Sequence, residues 1–183
     1  MERGSKRGNP YPHKYKHGKQ EEEIDLATFK DIMEKGGFAK GSHRSFLAFL
    51  YWIGCRKKEA LERTKADFKI TKSILYAKVP VKKGGKRVQP LPIPRDLPYV
   101  DLIVKQVKGT RRTPRNPQSR IWNFGEVAAW RLVKRVMPEH YPHFFRLNRI
   151  VKFFDNPQAT VTQVRSIFGI RSVRTINYYL GLS

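Results

Sequence analysis

The chain has 183 residues, the size of one ordinary domain or of a small domain with a tail. Lys and Arg total 38 against 15 Asp and Glu, a net charge of +23, yet 39% of the residues are hydrophobic, with three Trp, eight Tyr and eleven Phe. This excludes a disordered basic tail for most of the chain; the single cysteine, Cys55, excludes a disulfide framework and a cysteine-based zinc site; and no apolar run approaches the ~20 residues that span a bilayer.

The opening MERGSKRGNPYPHKYKHGK lacks the apolar stretch of a secretory signal, so an intracellular location is expected. A surplus of positive charge points to a polyanionic partner. Nucleic acid stands ahead of a membrane surface, because neither a basic amphipathic helix nor a lipid-anchor motif is evident. The plainer reading of the charge is a solvated surface.

Residues 1–20 are rich in Gly, Pro, His and Lys, carry no apolar periodicity and read as a flexible basic arm ahead of a domain at 21–183. Ile24, Leu26, Phe29, Ile32 and Met33 fall at helical spacing, and Gly36-Gly37 ends that helix. Ser42 is the expected cap of the next helix, HRSFLAFLYWI, apolar on nearly every side and so the buried central one. Gly54 breaks it. KKEALERTK reads as a further helix with Ala60 and Leu61 facing inward.

From Asp67 to Ile93 the pattern becomes strand-like. ILYAKVPV and RVQPLPI flank KKGGK as a hairpin, and Asp67–Ile70 supplies a third, shorter strand. Residues 105–120 hold six basic residues, no acidic one, Gly109, Pro114 and Pro117, and read as an exposed loop. Helices are then expected over WNFGEVAAWRLVKRVM, HFFRLNRIVKFF and TVTQVRSIF, the last with Val161, Val164 and Ile167 or Phe168 on one face and closed by Gly169. Ser172 caps a final helix, VRTINYYLGL. The predicted class is α+β, mostly helical, with a small antiparallel three-stranded sheet.

Five segments, in order, resemble the catalytic domain of tyrosine recombinases, the phage-integrase family. LYWIGCRKKEALERTKADF is similar to the first arginine box, with Gly54, Arg56, Glu59, Leu61 and Asp67 at matching places. VKKGGKRVQPLPIP resembles the hairpin that carries the family's lysine, with Lys83 at the matching position and Lys82 beside it. SRIWNFGEVAAWRLVKRV is similar to the helix before the second box. YPHFFRLNRIVKFF resembles that box, with His143 and Arg146 in His-x-x-Arg spacing. In VTQVRSIFGIRSVRTINYYLG, Ile170 plus nine residues is Tyr179, the family's spacing to its nucleophile. The resemblance spans about residues 24–180.

The resemblance implies DNA strand cleavage and rejoining through a covalent 3′-phosphotyrosine, with no metal and no cofactor. Arg56 and Arg146 would hold the scissile phosphate, since a guanidinium forks onto two oxygens and keeps its charge. Lys83 would protonate the leaving 5′ oxygen. His143 would orient the site or accept the tyrosine proton, and Tyr179 would attack. Double-stranded DNA is the implied partner, with self-association on DNA as a dimer or tetramer, and a mobile element or virus is the implied origin. Arg3, Lys6, Arg7, Lys14, Lys16 and Lys19 of the arm, Lys82, Lys86 and Arg87 of the hairpin, Arg111, Arg112 and Arg115 of the loop, and Arg171 are the expected DNA contacts.

Taken singly, these residues have plainer roles: Arg56 as a partner of Glu59 or Asp67, Lys83 as a solvated hairpin residue, His143 and Tyr179 as core side chains. There are also departures from the family pattern. Ile170 stands where the family has His or Trp, and it cannot donate a hydrogen bond. Either a neighbour such as Arg171 replaces that donor, or the enzyme is slow, or it has decayed into a DNA-binding protein. Leu147 replaces a frequent His. The sequence shows no counterpart of the family's N-terminal clamp domain or of its exchanged C-terminal helix. A type IB topoisomerase-like enzyme is a further alternative.

Overall fold

The computed structural model describes residues 24–38, 40–80, 90–109 and 116–180. The expected arm at 1–20, the hairpin tip with Lys82, Lys83, Lys86 and Arg87, and Arg111, Arg112 and Arg115 lie outside the described residues.

The centre of the domain is α2 (Gly41–Ile53), in which Ser45 through Tyr51 and Ile53 are all buried. Such a helix must be covered on every side. α1 (Leu26–Lys35) covers it through Phe29 and Met33, with Phe29 stacked on Tyr51 at 3.9 Å between ring centroids. Asp25 caps α1 by accepting from the Thr28 amide. α2 itself starts one residue before the expected cap: Lys40 holds the cap position, and Ser42 lies inside the helix, its carbonyl accepting from the Ser45 hydroxyl. That hydroxyl in turn accepts from Nε1 of the buried Trp122 at 3.0 Å. A buried indole N–H needs such a partner.

The largest correction concerns 105–120. Its first four residues are the end of a helix, α4 (Val100–Lys108), which packs along α2. Val100, Ile103, Val104 and Val107 are its buried stripe, and Gly109 ends it at φ 75°. KKEALERTK is helical only over α3 (Lys57–Leu61). The chain then turns away because the Asp67 carboxylate accepts from the Thr64 amide at 2.8 Å and closes a 3-10 turn over Lys65–Asp67.

Three antiparallel strands follow in the order β1 (Phe68–Ile70), β2 (Ile74–Ala77), β3 (Leu91–Pro94). Leu75 faces Ile70 on one side and Ile93 on the other, so the sheet lays an apolar face on the helices. β3 is an edge strand, where Pro92 and Pro94 cost no ladder bond.

α5 (Glu126–Val136), α6 (Pro142–Phe153), α7 (Val161–Phe168) and α8 (Val173–Tyr179) complete the domain. Thr160 caps α7 and Gly169 ends it in the left-handed region, φ 61°. Ser172 holds the cap position of α8, although its side chain makes no capping bond. α7 and α8 rest on α6 through a separate apolar cluster of Ile150, Val164, Phe168, Ile170 and Ile176. Among the described residues, no helix is long and apolar enough to cross a membrane.

Candidate active site

Two helices, one turn and one linker converge on an open cleft of about 390 Å3. Arg56 comes from the turn between α2 and α3, Arg146 from α6, Arg171 from the α7–α8 linker and Tyr179 from the end of α8; all four line it.

Gly54 makes the first turn possible. Its φ is 63°, and a Cβ there would lie 2.6 Å from Cβ of Arg149 on α6. Only glycine accepts both the left-handed backbone and that approach. Its carbonyl accepts from Nη1 of Arg146 at 3.3 Å. Arg56 follows two residues later. Its amide and its Nη1 donate to the two Glu59 oxygens at 2.9 and 2.8 Å. Glu59 is 1% exposed, whereas the Arg56 side chain is 32% exposed. The plain role expected for Arg56, pairing with Glu59, is therefore real, and it leaves the guanidinium on the cleft wall.

Arg146 is the most buried cation of the site, at 1% exposure. Besides Gly54 it donates through Nη2 to the Phe168 carbonyl, the last residue of α7. Burial, reinforced by the neighbouring Arg56, brings its pKa down to about 10, which leaves it charged at neutral pH.

One helical turn before Arg146, Nε2 of His143 lies 3.1 Å from the Tyr179 hydroxyl. Burial first, then Arg146 and Arg56, push the imidazole down to about 4. It is neutral at pH 7, and a neutral imidazole keeps one nitrogen able to accept. Tyr178, the neighbouring candidate, does not line the cleft.

Ile170 forms part of the cleft floor, but it is 7% exposed and belongs to the α6–α8 apolar cluster. Arg171 is exposed and forms no hydrogen bond or ion pair among the described residues. Of the expected catalytic residues, Arg56, His143, Arg146 and Tyr179 come together, and Lys83 lies outside the described residues.

Sequence reasoning passed over Arg63. It is 6% exposed. Its Nε donates to the Glu59 carbonyl at 2.7 Å, its Nη1 donates to the Lys78 carbonyl at 3.2 Å and pairs with Asp67 at 3.2 Å. It thereby ties α3, which holds Glu59, to the end of β2. A buried arginine inside KKEALERTK leaves no signal distinct from the exposed cations around it.

No protein-family model matches the sequence, and no curated protein is similar to it. Solved structures do match. XerH site-specific recombinase bound to its difH substrate, in a pre-cleavage complex, superposes with a TM-score of 0.66 at 14% identity over 86% of this chain and 49% of that one. The post-cleavage complex on palindromic difH gives the same TM-score over 87% and 49%. The Tn1549 transposon integrase bound to circular-intermediate DNA gives 0.55 over 86% and 60%, again at 14% identity. The chain thus spans about half the length of the first solved structures it matches. The fold is that of the tyrosine recombinase catalytic domain.

Proposed function

We propose that the chain cleaves and rejoins double-stranded DNA as a site-specific recombinase or integrase, through a 3′-phosphotyrosine on Tyr179. What supports this reading above all is the Tyr179 hydroxyl beside His143, in a cleft walled by Arg56, Arg146 and Arg171.

The step balances without an external energy source. The Tyr179 oxygen–phosphorus bond forms and the bond from phosphorus to the 5′ oxygen breaks. The tyrosine proton passes to His143, and Lys83 supplies one to the 5′ oxygen. Arg56 and Arg146 stabilise the charge on the non-bridging oxygens. His143 is a weak base in the cleft, first because it is buried and then because Arg146 and Arg56 face it. An arriving phosphodiester offsets those cations, so DNA binding raises the basicity of His143 where it is needed. Arg3, Lys6, Arg7, Lys82, Lys86, Arg87, Arg111, Arg112 and Arg115 would grip phosphates along the duplex, and self-association would occur on DNA. The chain would act inside the cell, with DNA.

Ile170 favours one second reading, a DNA-binding protein of the same fold with weakened catalysis, since its buried side chain offers no donor. Nicked suicide DNA separates the two. The first reading expects a covalent protein–DNA adduct that Tyr179→Phe abolishes and Tyr178→Phe retains. DNA binding with no adduct from the wild-type chain would establish the second.

A further inference from the structure

The three cleft guanidinia differ in how much of each is already engaged. Both terminal nitrogens of Arg146 donate to backbone carbonyls, those of Gly54 and Phe168. Nη1 of Arg56 is paired with Glu59. Arg171 alone of the three is exposed and has no partner among the described residues. It is also placed with care. Arg146 grips the carbonyl of Phe168, and Gly169 and Ile170 then carry the chain to Arg171 along the cleft wall. The Ile170 side chain goes into the α6–α8 cluster, and this anchors the linker from which Arg171 projects.

In-line attack on a phosphodiester concentrates charge on two non-bridging oxygens. Both ends of the Arg146 fork and one end of the Arg56 fork are committed to protein oxygens, so Arg171 is the cleft guanidinium whose whole fork is open for bidentate contact with those non-bridging oxygens. We infer that Arg171 is a third catalytic guanidinium, binding the scissile phosphate itself rather than tethering DNA along its backbone. This inference rests on the strand-cleavage reading above.

Adduct formation on suicide DNA tests it, measured in single turnover so that affinity and limiting rate separate. Arg171→Ala is expected to lose about a hundredfold in the limiting rate at saturating DNA, the loss typical of one transition-state donor. Arg171→Lys, which keeps charge but not the fork, is expected to fall between. Arg174→Ala is the control: Arg174 is equally exposed, is absent from the cleft lining, and should alter affinity only. A methylphosphonate at the scissile position removes a non-bridging charge and should largely erase the difference between wild type and Arg171→Ala. An Arg171→Ala variant that matches wild type at saturation and is weaker only in affinity would overturn the inference and make Arg171 a tether. Absence of any wild-type adduct would instead overturn the cleavage reading on which it stands.

Discussion

His143 and Tyr179, 36 residues apart in sequence, meet at 3.1 Å between Nε2 and the phenolic oxygen. The contact joins α6 to the end of α8 and sets the tyrosine beside an imidazole that burial keeps neutral.

That neutrality has a stability signature. The imidazole is held at about 4 in the fold against 6.5 for the ordinary group. Between those values the unfolded chain takes up a proton that the folded chain refuses. Stability is therefore intact above about pH 6.5 and falls as the pH drops toward 4, by up to about 3 kcal/mol. Urea unfolding from pH 7 to 4 should show this slope, and His143→Gln should flatten it. A slope unchanged in His143→Gln would place the titrating group elsewhere.

Gly54→Ala is expected to destabilise by about 2–4 kcal/mol, combining a strained left-handed backbone with a forced shift of Arg149. Because the Gly54 carbonyl holds Arg146, the rate of adduct formation should fall as well, even under conditions where the variant is fully folded. Denaturant midpoints and single-turnover rates on the same samples check both halves.

Arg63→Met removes the ties to Glu59, Lys78 and Asp67 together. The cost is expected at about 2–4 kcal/mol, since two carbonyls and one carboxylate lose a charged donor. Asp67→Asn should cost less, and a double-mutant cycle between the two should show coupling. Additive losses would mean that the ion pair contributes nothing beyond the carbonyl contacts.

Salt should divide the basic residues into two groups. Raising ionic strength is expected to weaken DNA binding steeply, with a log–log slope set by the number of phosphates neutralised. The limiting rate of adduct formation on bound DNA should change little, because the cleft arginines act at contact distance and Arg56 and Arg146 are also shielded by burial. A limiting rate that falls in parallel with affinity would contradict this division.

The sequence was most legible where a residue's type and spacing carry geometry. Gly54, Gly169 and the apolar run of α2 sit in the roles that their chemistry suggests, and Arg56, Arg146 and Tyr179 share one cleft. α4 was lost to its neighbours. Its stripe of Val100, Ile103, Val104 and Val107 has helical spacing, but it lies between a proline-rich strand and a basic run whose first cations belong to it. The grip of Arg146 on two backbone carbonyls and the burial of Arg63 depend on which segments pack together, and nothing in the residues themselves records that. Ser42 shows the limit of capping rules: the residue type is right, yet the helix starts earlier because the chain reaches α2 through Lys40.

The proposed nucleophile and the rest of the site rest on different foundations. Tyr179 packs on the five-residue cluster beneath α7 and α8, while Arg56 and Glu59 lie in the chain between Cys55 and Ala60, both members of the main core around α2. A small apolar cluster is cheap to open compared with a domain core. The α7–α8 hairpin, which carries Tyr179 and Arg171, is therefore expected to open before the main core, with the hold of Arg146 on Phe168 opposing that opening. Hydrogen exchange should find α8 far less protected than α2.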